Sequence, residues 1–180
     1  MTALHWIVLA VAVQRLGEIV LARRNGKRLL AAGGIESGAG HYPLFFAIHG
    51  AWLLSVLVLV PAGGPVHWPL LALYAPLQGV RYWVIRSLGG HWTTRIITVP
   101  GRPLVRSGPY RYFRHPNYAV VAGEIALLPL VFGAWKIALI YSLFNLALIS
   151  HRIRVENRAL AERRELSPVA VKDEGSRSRG

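Results

Sequence analysis

Apolar and polar positions along this chain are gathered into blocks. Apolar runs fill residues 3–22, 44–60, 68–85, 118–132 and 135–150, with polar residues collected between them. Runs of that length fit helices solvated by lipid. The last two are joined by Gly133-Ala134, a turn too tight for anything but a helical hairpin. At about 1.5 Å of rise per residue each reaches only about 22–24 Å, short of a hydrocarbon core of roughly 30 Å. Such helices tilt little, sit off-centre or thin the bilayer around them. The pattern predicts an all-α integral membrane protein of about five transmembrane helices, closed by a C-terminal helical hairpin.

Composition supports that class. Of 180 residues, 53% are hydrophobic and 16% charged, and the mean hydropathy is +0.38. That is too apolar for an ordinary soluble domain. One domain is expected over residues 1–166, and the polar end at 167–180 reads as a disordered tail. The absence of cysteine excludes disulfides, thiolate metal sites and a cysteine nucleophile.

The formal net charge is +13, and its placement matters more than its size. No Asp or Glu occurs from residue 37 to residue 123. Arg23, Arg24, Lys27 and Arg28 follow the first run, whereas the loop at 61–67 carries no formal charge. Arg86, Arg95, Arg102, Arg106, Arg111 and Arg114 crowd the third loop, and the segment after Ser150 is basic again. Cations flanking apolar spans point to membrane lipid as their partner, and no nucleic acid is expected. Loops one and three and the C-terminus are therefore expected in the cytoplasm, with the N-terminus outside. Positive charge after the first run, not before it, argues that this span is not a cleaved signal.

Candidate chemistry gathers ahead of the fourth span. The stretch 92–99 is β-prone and Pro100-Gly101 reads as a turn, so 89–114 is expected to be an ordered loop over the hairpin mouth. Then comes Gly108-Pro109-Tyr110-Arg111-Tyr112-Phe113-Arg114-His115-Pro116-Asn117-Tyr118. Proline suits a first helical turn, and the unpaired N–H groups there favour an anion beside Arg111, Arg114 and His115. Span-flanking arginines also snorkel to headgroups without binding anything else. The added histidine, prolines and tyrosines tip the reading toward a ligand site.

Inside the fourth span, Glu124 lies at a depth where it must be paired or protonated, which makes it a functional candidate. Asn145 is expected at similar depth on the returning helix, within hydrogen-bond reach of it, as interhelical glue or as part of a ligand site. Arg15 and Glu18, at i and i+3, are expected to pair for structure. Beyond the fifth span, Glu156 is among the few acids able to hold a cation or a ribose diol. His5, His41, His49, His67 and His91 lack metal-ligand spacing, and no metal site is expected.

Gly108-Pro109-Tyr110, Arg114-His115-Pro116-Asn117-Tyr118, the apolar hairpin and Arg154-Val155-Glu156 together resemble the isoprenylcysteine carboxyl methyltransferase family. Trp92-Thr93-Thr94-Arg95-Ile96-Ile97 and Pro100-Gly101 resemble its bacterial branch. The likeness covers about 88–160 with specific motifs and the earlier spans loosely. It implies a membrane O-methyltransferase that uses S-adenosylmethionine (SAM). By that likeness Tyr110, His115, Pro116, Tyr118, Glu156 and Asn157 are expected to bind the cofactor. Arg114 is expected to orient the acceptor, and Glu124 to act as a catalytic group. The family has two acids after the last span. The second is Asn157 here, which can hydrogen-bond but supplies no charge.

The implied acceptor is lipophilic and enters sideways from the bilayer. A prenylcysteine-type carboxylate needs no base, whereas an acidic hydroxyl on a lipid-tailed ring would yield its proton to His115 or Glu124. Two other readings stay open. One is an NADPH-dependent membrane lipid reductase with a similar C-terminal motif. The other is a non-enzymatic helical membrane adaptor, which would need neither His115 nor Tyr118.

Overall fold

The computed structural model describes residues 1–161, so the tail expected at 167–180 lies outside the described residues. Among these, five helices carry the chain: α1 (Ala3–Ala31), α2 (Tyr42–Leu59), α3 (Trp68–Leu88), α4 (Pro116–Val131) and α5 (Trp135–Ala159). The fold is all-α, as the blocked pattern predicts. α1, α2 and α5 each hold an apolar window long enough to cross a membrane, and α4 is a shorter apolar helix. α3 carries Gln78, Arg81 and Arg86 among its apolar residues and relies on its neighbours to pair the inner ones.

Two helices outrun their apolar stretches. α1 continues to Ala31 and α5 to Ala159. The apolar run at 135–150 keeps its short reach, while the 25 residues of α5 rise about 37 Å in all. The added length is the polar stretch 151–159, which continues the helix past its apolar run. Leu54, Val58, Leu59, Leu73, Leu139, Ile140, Leu143 and Phe144 are all exposed. In water such a surface would aggregate, and in lipid it is the natural exterior. Beneath it Leu4, Val8, Val11, Trp52, Val56, Tyr74, Ile125, Leu128 and Val131 form the core.

Chain direction sorts the connections to two ends. At one, the His67 N–H donates to the Val131 carbonyl at 2.8 Å, which ties the uncharged loop to the Gly133 turn. At the other, β1 (Ile35–Ser37) pairs antiparallel with β2 (Ile96–Thr98), matching Ile35 with Thr98 and Ser37 with Ile96. Three residues of the β-prone stretch 92–99 thus become a strand, with its partner supplied by the first loop. Both strands touch α5, so the first and third connections, the start of α4 and the end of α5 share one end of the bundle, with Arg23, Arg24, Lys27 and Arg28 on the last turns of α1 and not in the loop.

Deep in the bundle, α1, α3 and α4 share an ionic cluster. Arg81 donates to Glu18 from Nε at 2.6 Å and Nη2 at 2.5 Å, and to Glu124 from Nη1 at 3.1 Å. Arg15 pairs with Glu18 at 2.8 Å and with Glu124 at 2.7 Å. Gln78 donates to Glu124 at 2.9 Å, and Gln14 to Glu18 at 3.1 Å. The two arginines balance the two carboxylates, so the cluster is neutral and hydrogen-bonded, as burial of charge requires. The Arg15–Glu18 pair forms as the spacing predicts, but as one corner of a larger assembly. The bond considered between Glu124 and Asn145 is not formed. Glu124 is held by Arg15, Arg81 and Gln78 instead, and the buried Asn145 side chain has no hydrogen-bond partner among the described residues.

Candidate active site

α4 begins at Pro116, where a missing N–H costs nothing because no helical acceptor would meet it. His115 immediately precedes the helix and Tyr118 lies in its first turn, with their rings stacked at 5.5 Å between centroids. α5 brings Arg152 and Glu156 to the same place from one face, since they are spaced i and i+4. The Tyr118 hydroxyl donates to the Glu156 carboxylate and accepts from Arg152 Nε, the latter at 2.8 Å. His115 Nδ1 stands 3.8 Å from the same carboxylate. The imidazole and the carboxylate therefore converge, although 41 positions of numbering, including the whole of α4, separate them.

Arg152 is the principal residue that sequence reasoning missed. It is buried, donates to the Thr94 carbonyl at 2.6 Å, and lies over the Phe45 and Tyr118 rings at 5.1 and 5.8 Å. In the sequence it is one of several arginines in a basic exit helix. Only its spacing from Glu156 marks the two as sharing a face.

The opposite wall is built from the third loop. Arg95 pairs with Glu36 at 3.1 Å and lies over the Tyr42 ring at 5.1 Å, while Tyr42 and Thr94 share a hydroxyl bond of 2.8 Å. Asn25 of α1 donates to the carbonyls of Gly89 and Trp92 at 3.0 and 2.9 Å. Further on, Gly108 has φ +60°, and a Cβ there would stand 2.0 Å from Ser87 Oγ. The turn into Pro109-Tyr110 therefore demands glycine.

These walls enclose a cavity of about 570 Å³, inside the range of roughly 300–1,000 Å³ common for small-molecule sites. Trp92, Ile96 and Thr98 line one side, Tyr110, Arg114, His115, Asn117 and Tyr118 another, and Arg152 and Glu156 a third. Burial, and then the Glu156 carboxylate, push the Tyr110 phenol well above its ordinary range, so it remains an O–H donor. Among the described residues Glu156 is the one carboxylate in the lining, set among Arg95, Arg106, Arg111, Arg114 and Arg152. Trp92 Nε1 and Asn117 Oδ1 are buried in residues of the same lining and have no hydrogen-bond partner among the described residues.

Tyr110, Arg114, His115, Tyr118 and Glu156 thus come together at one cavity, with Arg114 exposed on its rim. Pro116 and Asn157 do not line it, and Pro116 acts through the helix start. Glu124 lies in the ionic cluster and not in the lining.

The profile of the isoprenylcysteine carboxyl methyltransferase family matches residues 70–162, a span that contains every residue lining the cavity. The uncharacterized protein YpbQ of Bacillus subtilis (strain 168) is 42% identical over 164 residues, covering 88% of this chain and 98% of that protein. An uncharacterized protein of Haemophilus influenzae is 26% identical over 152 residues, covering 82% of this chain and 88% of its own. No solved structure matches the chain.

Proposed function

The chain belongs to the isoprenylcysteine carboxyl methyltransferase family, and from that premise we propose that it transfers a methyl group from SAM to an oxygen of a lipophilic acceptor. The observation that carries the reading is the convergence of His115, Tyr118 and Glu156 on one cavity at the basic end of a membrane bundle.

The residues present suit such a cofactor by size and by donor set. When bound, SAM supplies a methyl group activated by a sulfonium. Glu156 holds the negative charge that a cation or a ribose diol would meet, and Tyr118 and Arg152 fix its direction. Tyr110 offers a neutral O–H, and Pro116 sets the helix start that aims His115 and Tyr118. Asn157 places an amide next to Glu156 in sequence, where the family's second acid would supply charge.

Arg114 on the rim orients the acceptor. Its planar fork matches a carboxylate bidentately, and Arg106 and Arg111 add to the positive field at the mouth. That field favours an acceptor already carrying negative charge, either a prenylcysteine-type carboxylate or the anion of an acidic hydroxyl. Where a proton must leave, His115 is in the cavity to take it. Glu124 is assigned to holding the bundle, because Arg15, Arg81 and Gln78 occupy its carboxylate. The acceptor reaches the mouth from the bilayer, and SAM from the cytoplasm.

Purified protein in detergent is expected to release heat on SAM addition, and His115→Ala to abolish it. Unchanged binding in that variant overturns the site. Labelled SAM supplied to membranes, with the product identified by mass spectrometry, distinguishes a methyl ester from a methyl ether. A thermal shift with NADPH and none with SAM would replace this reading by a reductase.

A further inference from the structure

The orphaned atoms of Trp92 and Asn117 carry an inference beyond this reading. α3 and α4 run antiparallel, with Leu77 against Gly123 and Arg81 bonded to Glu124. That register sets the last turns of α3 level with Asn117 at the start of α4. Trp92 clusters with Val84 on those turns, and Leu88 and Tyr110 pack against them. Trp92 and Asn117 both line the cavity, and each holds its unsatisfied atom in the wall around it.

Neither side chain is there by default. Trp92 is 3% exposed, its carbonyl accepts from Asn25, and the Arg81 guanidinium lies 5.9 Å from its ring. A buried donor or acceptor without a partner is destabilising, so each is explained when a ligand completes it. One is a neutral donor and the other a neutral acceptor. That combination suits neither a sulfonium nor a carboxylate. It suits the edge of an aminated heteroaromatic base, where a ring nitrogen accepts beside an exocyclic amine that donates.

We propose that Trp92 and Asn117 are specificity-determining residues that read the adenine edge of the cofactor. Trp92 Nε1–H donates to a ring nitrogen, and Asn117 Oδ1 accepts from the exocyclic amine. The assignment rests on SAM being the methyl donor.

The test is calorimetry on the full-length protein in detergent with S-adenosylhomocysteine and S-inosylhomocysteine. The inosyl ligand replaces the amine by a carbonyl and protonates the adjacent ring nitrogen, which reverses both complementary contacts. Wild type is expected to prefer the adenosyl ligand by about tenfold or more, the scale of a mispaired buried hydrogen bond. Trp92→Phe and Asn117→Leu are each expected to shrink that ratio toward one, mainly by weakening the adenosyl ligand. Variants that keep the wild-type ratio, or that lose both ligands equally, overturn the inference. So does a wild type that binds both ligands alike. If wild type binds neither, the SAM reading itself fails and takes the inference with it. Should Asn117→Leu fail to fold, the Trp92→Phe ratio decides alone, since that change keeps the aromatic packing.

Discussion

Glu156 keeps its direction because the Tyr118 hydroxyl donates to it while accepting from Arg152. The three groups have unequal weight. Glu156→Gln removes the one carboxylate that the described residues place in the lining and is expected to weaken SAM binding by at least tenfold in calorimetry, as loss of a charged partner does. Tyr118→Phe removes a neutral hydroxyl and should cost only severalfold. Arg152→Lys is expected to behave like a deletion, since an ammonium cannot reach Tyr118 and the Thr94 carbonyl together as the guanidinium does. His115, Tyr118 and Glu156 were legible in the chain, as parts of a motif or as rare acids in a basic stretch. Arg152 was not, because its role depends on Thr94, 58 positions away, and on how α5 is rotated in the bundle.

The helices α1, α3 and α4 are tied by charges that none of them holds alone. Glu124→Ala leaves Arg15 and Arg81 facing only Glu18 in a buried site, which is expected to cost about 3–5 kcal/mol. Thermal unfolding in detergent would register it. Glu124→Gln keeps part of the hydrogen bonding, and its turnover per folded molecule is expected to stay near wild type. A stable Gln variant without turnover would restore Glu124 to the chemistry. Glycine geometry sets a second element-scale constraint. Gly108→Ala combines a positive φ with a clash at Ser87, and is expected to destabilise by about 1–2 kcal/mol, partly relieved by adding Ser87→Ala. The helices were readable to within a few residues at most ends, because a block of apolar residues is a local property. β1 was not, since a three-residue strand exists only through the partner it pairs with.

The whole molecule has one end gathered by the β1–β2 ribbon and another closed by the uncharged loop and the Gly133 turn. Positive-inside asymmetry is the ground for proposing that the ribbon end faces the cytoplasm. The natural lack of cysteine makes this directly testable. Single cysteines at the exposed positions Ala62, Ala32 and Ser107 are treated with an impermeant maleimide in intact cells. Labelling is expected at 62 alone, with 32 and 107 reacting only after permeabilisation. The opposite pattern reverses the orientation but not the fold, whereas 32 and 107 on different sides would contradict the shared end itself.

The order of residues alone determined the solvent of this protein, the number and approximate limits of its helices, and the family motif ahead of the fourth span. Those follow from sums along the chain, where hydropathy and turn chemistry act over neighbouring positions. Tertiary structure decided which arginines neutralise Glu18 and Glu124, that Arg152 turns inward while Arg154 stays exposed, and which loop completes the wall against Thr94. A buried charge takes whichever counter-charge helix rotation and close packing bring within reach. That proximity exists only once the helices are assembled.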